Sequence, residues 1–223
     1  MINKILDRME NAFSGLKDGA TIMVGGFGGS GIPHDLIDCL VNQDAKDLVI
    51  ITNNAGSGET GIAALLKARR VRKIICSYPR MADSHHFETL YRSKQIELEL
   101  VPQGNLAERI RAQGAGLGGF FTQTAYGTLL SQGKETRLIN GKHYVFETPL
   151  AADFALIRAL RADRYGNLVY RKAARNFGPV MATAAKTTIA QVSEIVEIGE
   201  IDPETVVTPG IFVKHVALVR GPA

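Results

Sequence analysis

The amino-acid sequence predicts an α/β chain: an open, doubly wound and mainly parallel sheet with helices on both faces, and smaller strands in the second half. Three observations predict it. Strand-length apolar runs alternate with helix-length amphipathic stretches as far as residue 113, the pattern of a parallel sheet covered on both sides. Thr21-Ile-Met-Val24 is apolar without alternation and ends in glycines, like a strand buried on both faces. Beyond Gly114 the texture changes to glycine-dense and shorter strand-like pieces.

Taken in order, Ile5 to Leu16 reads as an amphipathic helix and Thr21 to Val24 as the first strand. Pro33 suits the first turn of a helix running to about Asn42, with Leu36, Ile37 and Leu40 on one face. Leu48 to Thr52, Lys73 to Ser77 and Ile96 to Val101 read as strands. Thr60 to Ala68, Ser84 to Arg92 and Leu106 to Gln113 read as the helices between and after them. Glycines are too dense in Gly114 to Phe121 for a regular element. Strand-like pieces follow at His143 to Phe146, Phe154 to Leu160 and Leu168 to Tyr170. A helix at about Pro179 to Ala185 and strands at Thr188 to Val192 and Val213 to Val219 close the chain.

With no repeat and no obvious linker, residues 1–223 are expected to form one domain. The N-terminus mixes acids and bases without an apolar stretch, and no apolar run is long enough for a membrane helix, so a cytoplasmic protein is expected. Cys39 and Cys76 lie far apart and outside any C-x-x-C, which argues for small core residues rather than a disulfide or zinc. Net charge is +4, but the bases are scattered among acids. The densest cluster, Arg69 to Lys73, lacks the interleaved aromatics of a nucleic-acid surface.

Two glycine-rich segments carry the chemistry. Gly25-Gly-Phe-Gly-Gly-Ser-Gly31 follows the first strand and precedes a helix. Glycine there admits a ligand close to backbone N–H groups, and a helix N-terminus favours an anion. Gly26 to Gly31 satisfies G-x-G-x-x-G, yet Asn53-Asn54 stand where a dinucleotide site needs an acid. Gly133-Lys134 continues as Glu135 and forms no phosphate loop, Ser30 lacks the frame of a nucleophile elbow, and His85-His86 has no H-E-x-x-H. Adjacent helix positions diverge, so no metal site is expected there. In the second segment, Gly116-Leu-Gly-Gly-Phe120, tandem amides suit an oxygen that gains charge during acyl transfer. A plain turn is the alternative for either segment.

Together the two segments resemble the family I CoA-transferases. The likeness covers Asp18-Gly19, Gly25-Gly-Phe27 and Gly31-Ile-Pro33, then Asn53-Asn-Ala-Gly56, Val101-Pro-Gln-Gly-Asn-Leu-Ala-Glu-Arg-Ile110 and Gly116 to Phe120. It continues through Gly166-Asn-Leu168, Lys172-Ala-Ala-Arg-Asn-Phe177 and Thr208-Pro-Gly-Ile-Phe212, almost the whole chain in order. The resemblance implies ping-pong chemistry in which a glutamate of a Ser-Glu-Asn-Gly motif becomes a glutamyl-CoA thioester. That motif is absent here, since Glu59 and Glu147 lack its frame. The glutamate is therefore expected on a partner B subunit, in an A2B2 heterotetramer, with this chain inactive alone.

The implied reaction moves CoA from succinyl-CoA to a 3-oxo acid, with 3-oxoadipate ahead of acetoacetate, the CoA thioester being substrate and no cofactor being tightly bound. The resemblance gives CoA binding to Gly25, Gly26, Phe27, Gly28, Gly29, Ser30 and Gly31. Gly118 and Gly119, with Gly116 as hinge, take the oxyanion role. Gln103 is expected at the carboxyl edge of the sheet, bonded either to substrate or to loop backbone. Lys172, Arg175 and Asn176 form a polar group suited to anions or to an inter-subunit contact. Two other classes compete: a metabolite-sensing module without catalysis, and a sugar-phosphate isomerase using an acid such as Asp153 or Glu59.

Overall fold

The computed structural model describes residues 2–219. Its main sheet contains β1 (Thr21–Val24), β2 (Leu48–Ile51), β3 (Val71–Cys76), β4 (Glu97–Leu100), β8 (Ala152–Ala162), β9 (Leu168–Val169), β10 (Ala185–Ile195) and β11 (His215–Leu218). The spatial order is β11-β10-β8-β1-β2-β3-β4, and every neighbouring pair along it is parallel. Only β9 is antiparallel, folding back on the end of β8. A second, antiparallel sheet has the order β5-β7-β6, from β5 (Phe120–Thr122), β6 (Thr136–Ile139) and β7 (Lys142–Glu147).

The helices are α1 (His34–Val41), α2 (Ile62–Lys67), α3 (His85–Arg92), α4 (Gln103–Gly114) and α5 (Gly178–Ala184). Leu36, Leu40, Leu65, Leu66, Phe87 and Leu90 from α1 to α3 pack with Ile22, Ile50, Ile74 and Leu156 on one face of the sheet. Leu106 and Ile110 of α4 and Met181 of α5 pack with Met23, Ile51, Ala155 and Ile157 on the other. Strands β1 and β2 are buried nearly throughout, which is why their apolar residues run consecutively. Buried Gln191 of β10 also ties the first face together. It accepts from the Leu36 N–H at 3.3 Å and donates to Asp35 at 2.6 Å, satisfying one orphan donor of α1.

Three sequence expectations change. The helix expected from Ile5 to Leu16 shrinks to one 3₁₀ turn, Met9–Phe13. Its start is instead extended, because Leu6 donates to Val216 and Val216 to Lys4, so the segment adds to the sheet edge beside β11. Helix α4 begins at Gln103, three residues before the expected Leu106. Finally, Phe120 and Phe121, assigned to an irregular glycine stretch, belong to β5. Strand β6 was not anticipated at all. Its signal was present as Asn140-Gly141, which turns β6 into β7 with positive φ at both residues.

A buried charge network fastens the small sheet to α4. Arg109, 7% exposed, bonds Glu99 at 3.0 Å and the Thr148 carbonyl at 2.7 Å, and lies 3.7 Å from Glu147. Glu147, 2% exposed, also accepts from Lys134 at 2.7 Å and Asn105 at 3.1 Å. Removing one partner would leave buried charge uncompensated. Arg109→Met is therefore expected to cost about 3–5 kcal/mol in urea unfolding. Burial pushes the Glu99 carboxyl up, but bonds from Lys73 and Arg109 outweigh it and hold the group below its ordinary 4.5. A depressed folded value means stability that is complete above pH 4.5 and lost as pH falls through the folded value. Glu99→Gln should flatten that acid limb of an unfolding-versus-pH series.

Candidate functional site

Strand β1 is central, and the chain leaves it towards β2 while β8 lies on its other side. Ligands in open α/β sheets gather at the carboxyl ends of strands where the order reverses in this way. The Gly25–Gly31 segment occupies that position. Gly25 still pairs with β8, donating to Leu156 O at 2.9 Å. Phe27 and Ser30 then exchange two backbone hydrogen bonds of 3.0 Å each, closing a two-residue turn with Gly28 at φ 56°. The N–H groups of Gly28 and Gly29 have no acceptor among the described residues, and a Cβ added at either would meet nothing within 4 Å.

Asn176 holds this turn in place. Its Oδ1 accepts from the N–H of Gly26 at 3.1 Å and of Phe177 at 2.7 Å, while Nδ2 donates to Ser30 O at 3.1 Å and Ala173 O at 2.9 Å. Gly31, at φ 72°, packs so closely that an added Cβ would lie 2.5 Å from Ala174 O. Of the polar trio at 172–176, Asn176 is thus a positioning residue for the glycine turn. Arg175 is exposed, and Lys172 faces a separate cavity on the far side of the turn.

Two cavities open on the β2–β4 side of the turn. One, about 470 Å³, is lined by Phe27, Gly28, Asn53, Asn54, Ser77, Tyr78, Met81 and Gln103. The other, about 210 Å³, includes Gly25, Gly26, Gly28, Gly29, His34, Thr52 and Ser57. Buried Asn53 is the hub: its Oδ1 accepts from Gln103 Nε2 at 2.8 Å and from Ser77 Oγ at 2.9 Å. Gln103, the first residue of α4, is exposed and keeps its second N–H and its Oε1 for other partners. Phe27 and Tyr78 are large aromatics left 51% and 62% exposed at the rim. None of these lining residues is an Asp or Glu.

The second glycine motif does not reach this cleft. Gly116 follows the far end of α4 from Gln103, and none of Gly116, Gly118 and Gly119 lines either cavity. Gly116 serves the helix end: at φ 70° it donates to Gln113 O, while Leu117 donates to Ala112 O, the paired bonds of a Schellman cap. An added Cβ on Gly119 would collide with the Phe146 ring, so this glycine lets β5 approach β7. Only Gly118 has ordinary φ and open space around it. Within this chain the two motifs therefore do not line a common cavity among the described residues.

His85 and His86 also depart from expectation. At the start of α3 their rings converge, and both Nε2 atoms lie 3.0 Å from Glu59 Oε1. Bonds from Lys67 and then His86 draw the Glu59 carboxyl down to about 2, and the Asp83 carboxylate bonded to His85 raises that imidazole. The three ligand-capable atoms lie within 4.8 Å of one another, the sole such group among the described residues. Two histidine protons and Lys67 are enough to satisfy the carboxylate. Cys76 is buried, which pushes its thiol up to about 12, and Cys39 is half-buried; both are free thiols. Among the described residues no helix is long and apolar enough to cross a membrane.

A central glycine turn and a carboxylate-free cleft sit on the mainly parallel sheet of an α/β protein, and comparison with known proteins gives its class. Residues 6–218 match the coenzyme A transferase family, and the chain belongs to it. It is 62% identical over 223 residues to the A-type component of 3-oxoadipate CoA-transferase from Pseudomonas putida, covering all of this chain and 96% of that one. It is 46% identical over 215 residues to the A-type component of succinyl-CoA:3-ketoacid coenzyme A transferase from Helicobacter pylori, covering 96% and 92%. An acyl-CoA transferase of Escherichia coli O157:H7, solved as a thioester complex with CoA, shares the fold with a TM-score of 0.85 at 23% identity. That overlay covers 98% of this chain and 47% of the other, so the chain spans about half of that enzyme.

Asn176→Ala should lower unfolding free energy by about 2 kcal/mol, because it strands two backbone donors. Gly31→Ala should cost about 2–4 kcal/mol through strain at positive φ and overlap with Ala174. Gly118→Ala should stay within about 0.5 kcal/mol. Urea denaturation of the three variants checks the ordering.

Proposed function

We propose that this chain is the A-type half of an enzyme that moves CoA from succinyl-CoA to 3-oxoadipate, giving 3-oxoadipyl-CoA and succinate, with the attacking glutamate supplied by a B subunit in an A2B2 assembly. The observation that carries this reading is the cleft itself. Amides from the glycine turn, Asn53 and Gln103 converge at the carboxyl end of the sheet without any carboxylate of this chain among the lining residues. Such a cleft suits a thioester, and it needs its nucleophile from outside.

In the proposed sequence the partner's carboxylate attacks the acyl carbon. The C–S bond breaks, leaving a mixed anhydride and CoA thiolate. The thiolate then attacks the glutamyl carbonyl, releases succinate and forms the glutamyl-CoA thioester. The incoming 3-oxo acid reverses these two steps. Splitting one transfer into covalent stages lowers each barrier. Every addition places negative charge on a carbonyl oxygen, which Gln103 Nε2 and the Gly28 and Gly29 N–H groups are available to receive. We assign Gln103 this role ahead of Gly118 and Gly119, which line neither cavity of the cleft.

The substrate rests on relatives. At similar coverage, identity to the Pseudomonas 3-oxoadipate enzyme component exceeds that to the Helicobacter 3-ketoacid enzyme component by 62% to 46%. The latter favours acetoacetate as the second reading. Residues 1–223 are taken as one cytoplasmic domain that binds CoA only as a thioester substrate, with neither metal nor nucleic acid involved.

The test is a co-expressed A and B pair assayed with succinyl-CoA and either 3-oxoadipate or acetoacetate. The pair should transfer CoA to 3-oxoadipate, and the chain alone should not. Gln103→Ala should reduce kcat by about 10²-fold with an unchanged melting temperature. Gly118→Ala should leave kcat within about twofold; a loss comparable to Gln103→Ala would return the oxyanion role to the second glycine motif. Preference for acetoacetate would replace the substrate and keep the reaction. Activity of the unpaired chain would end the proposal.

A further inference from the structure

The glycine turn has a second side. Opposite the Asn53 and Gln103 cleft, a cavity of about 520 Å³ lies between Gly29–Gly31, the upper part of β8 and residues 171–174. Arg158, Arg171 and Lys172 line it with Ser193 of β10, and no Asp or Glu does. Two acids near these segments are engaged elsewhere. Glu194 bonds Arg161 at 2.7 Å, and Asp35 accepts from Gln191 at 2.6 Å.

Three cations around one recess repel one another, and the arrangement is favourable when an anion enters it. Arg158 already has an interaction within the chain. Arg171 and Lys172 are exposed and make no ion pair with any described carboxylate. Their backbone is not loose: Lys172 is held at φ 47°, in the left-handed region, one residue before Ala173, which the Asn176 clamp grips. The recess and the smaller of the two cleft cavities share Gly29, so the turn stands between them.

We infer that this basic recess receives an anionic group of the acyl-CoA substrate while the thioester carbonyl lies across the turn beside Gln103. The inference rests on the cleft being the acyl-transfer site. Two parts of such a substrate are anionic: the phosphates of CoA, and the distal carboxylate of a dicarboxylic acyl group. Arg171 and Lys172 together match the several charges of the phosphates better than one carboxylate. Guanidinium groups also bind phosphate oxygens in pairs.

The experiment uses the reconstituted A and B pair with Arg171→Gln and Lys172→Gln combined. Succinyl-CoA is compared with succinyl-pantetheine, which lacks every phosphate. For succinyl-CoA the double variant should raise KM about tenfold with kcat nearly unchanged. Wild type should show a comparable rise on succinyl-pantetheine, and the variant should add nothing to it. Should the variant instead raise KM on succinyl-pantetheine, and spare acetoacetate while penalising 3-oxoadipate, the anion is the distal carboxylate and the phosphate assignment is overturned. Unchanged KM values for all of them would refute the recess. So would weakened A–B pairing with normal kinetics per assembled complex, which would make it an inter-subunit contact. Wild-type transfer to a 3-oxo acid is the control: its failure would indict the cleft reading instead.

Discussion

The four hydrogen bonds of the Asn176 side chain are the constraint on which the rest of the site depends. A glycine-rich turn has few side chains to hold it and much backbone entropy to lose on ordering. Here the turn is ordered from outside: one amide accepts from Gly26 and donates to Ser30, bracketing the tip on both sides. Gly31 completes the lock by letting residues 173–174 approach to a distance that only hydrogen at Cα allows. A side chain 150 residues away in sequence from Gly26 thus decides where two unsatisfied backbone amides point.

That long-range tie explains why the parallel sheet matters to the chemistry. Strands β1 and β8 are adjacent in the sheet centre, so the segments leaving them must meet at one edge. The turn after β1 and the 171–177 segment beyond β8 and β9 are those segments. On the other side, Asn53 after β2, Ser77 after β3 and Gln103 after β4 come from successive carboxyl ends and share one hub. Fold and site are the same arrangement seen at different scales.

The main sheet was legible because its strands are buried on both faces, so apolar runs such as Leu48 to Ile51 stand out against polar loops. Helix positions followed from Leu36, Ile37 and Leu40. What failed was local pattern without tertiary context. Ile5 and Leu6 fit a helical face, yet main-chain pairing with Val216 won. Asn140-Gly141 announced a hairpin, but its flanking strand Thr136–Ile139 is exposed throughout and gave no alternation to notice. In the second glycine motif the sequence shows tandem amides, but not what each glycine does for the fold. Gly116 ends a helix and Gly119 relieves a ring contact, demands invisible without α4 and Phe146 in place. Asn176 was noticed as polar, and its partner Gly26 could not be guessed across that separation.

The chain holds 22 acidic residues, and none lines the three cavities around the turn. That distribution bears on how an imported glutamate would behave. A resident carboxylate within a few ångströms would favour protonation of an arriving one and blunt its attack. Amide donors and nearby cations act in the opposite direction, keeping such a group ionised and stabilising the oxyanion that forms next. The acids of this chain are spent instead on structure. Glu147 and Glu99 lock the small sheet to α4, and Glu59 gathers Lys67 and two histidines behind the Ser57 wall. On the proposed reading, a donor-lined cleft without carboxylates among its lining residues would complement a glutamate supplied by the partner.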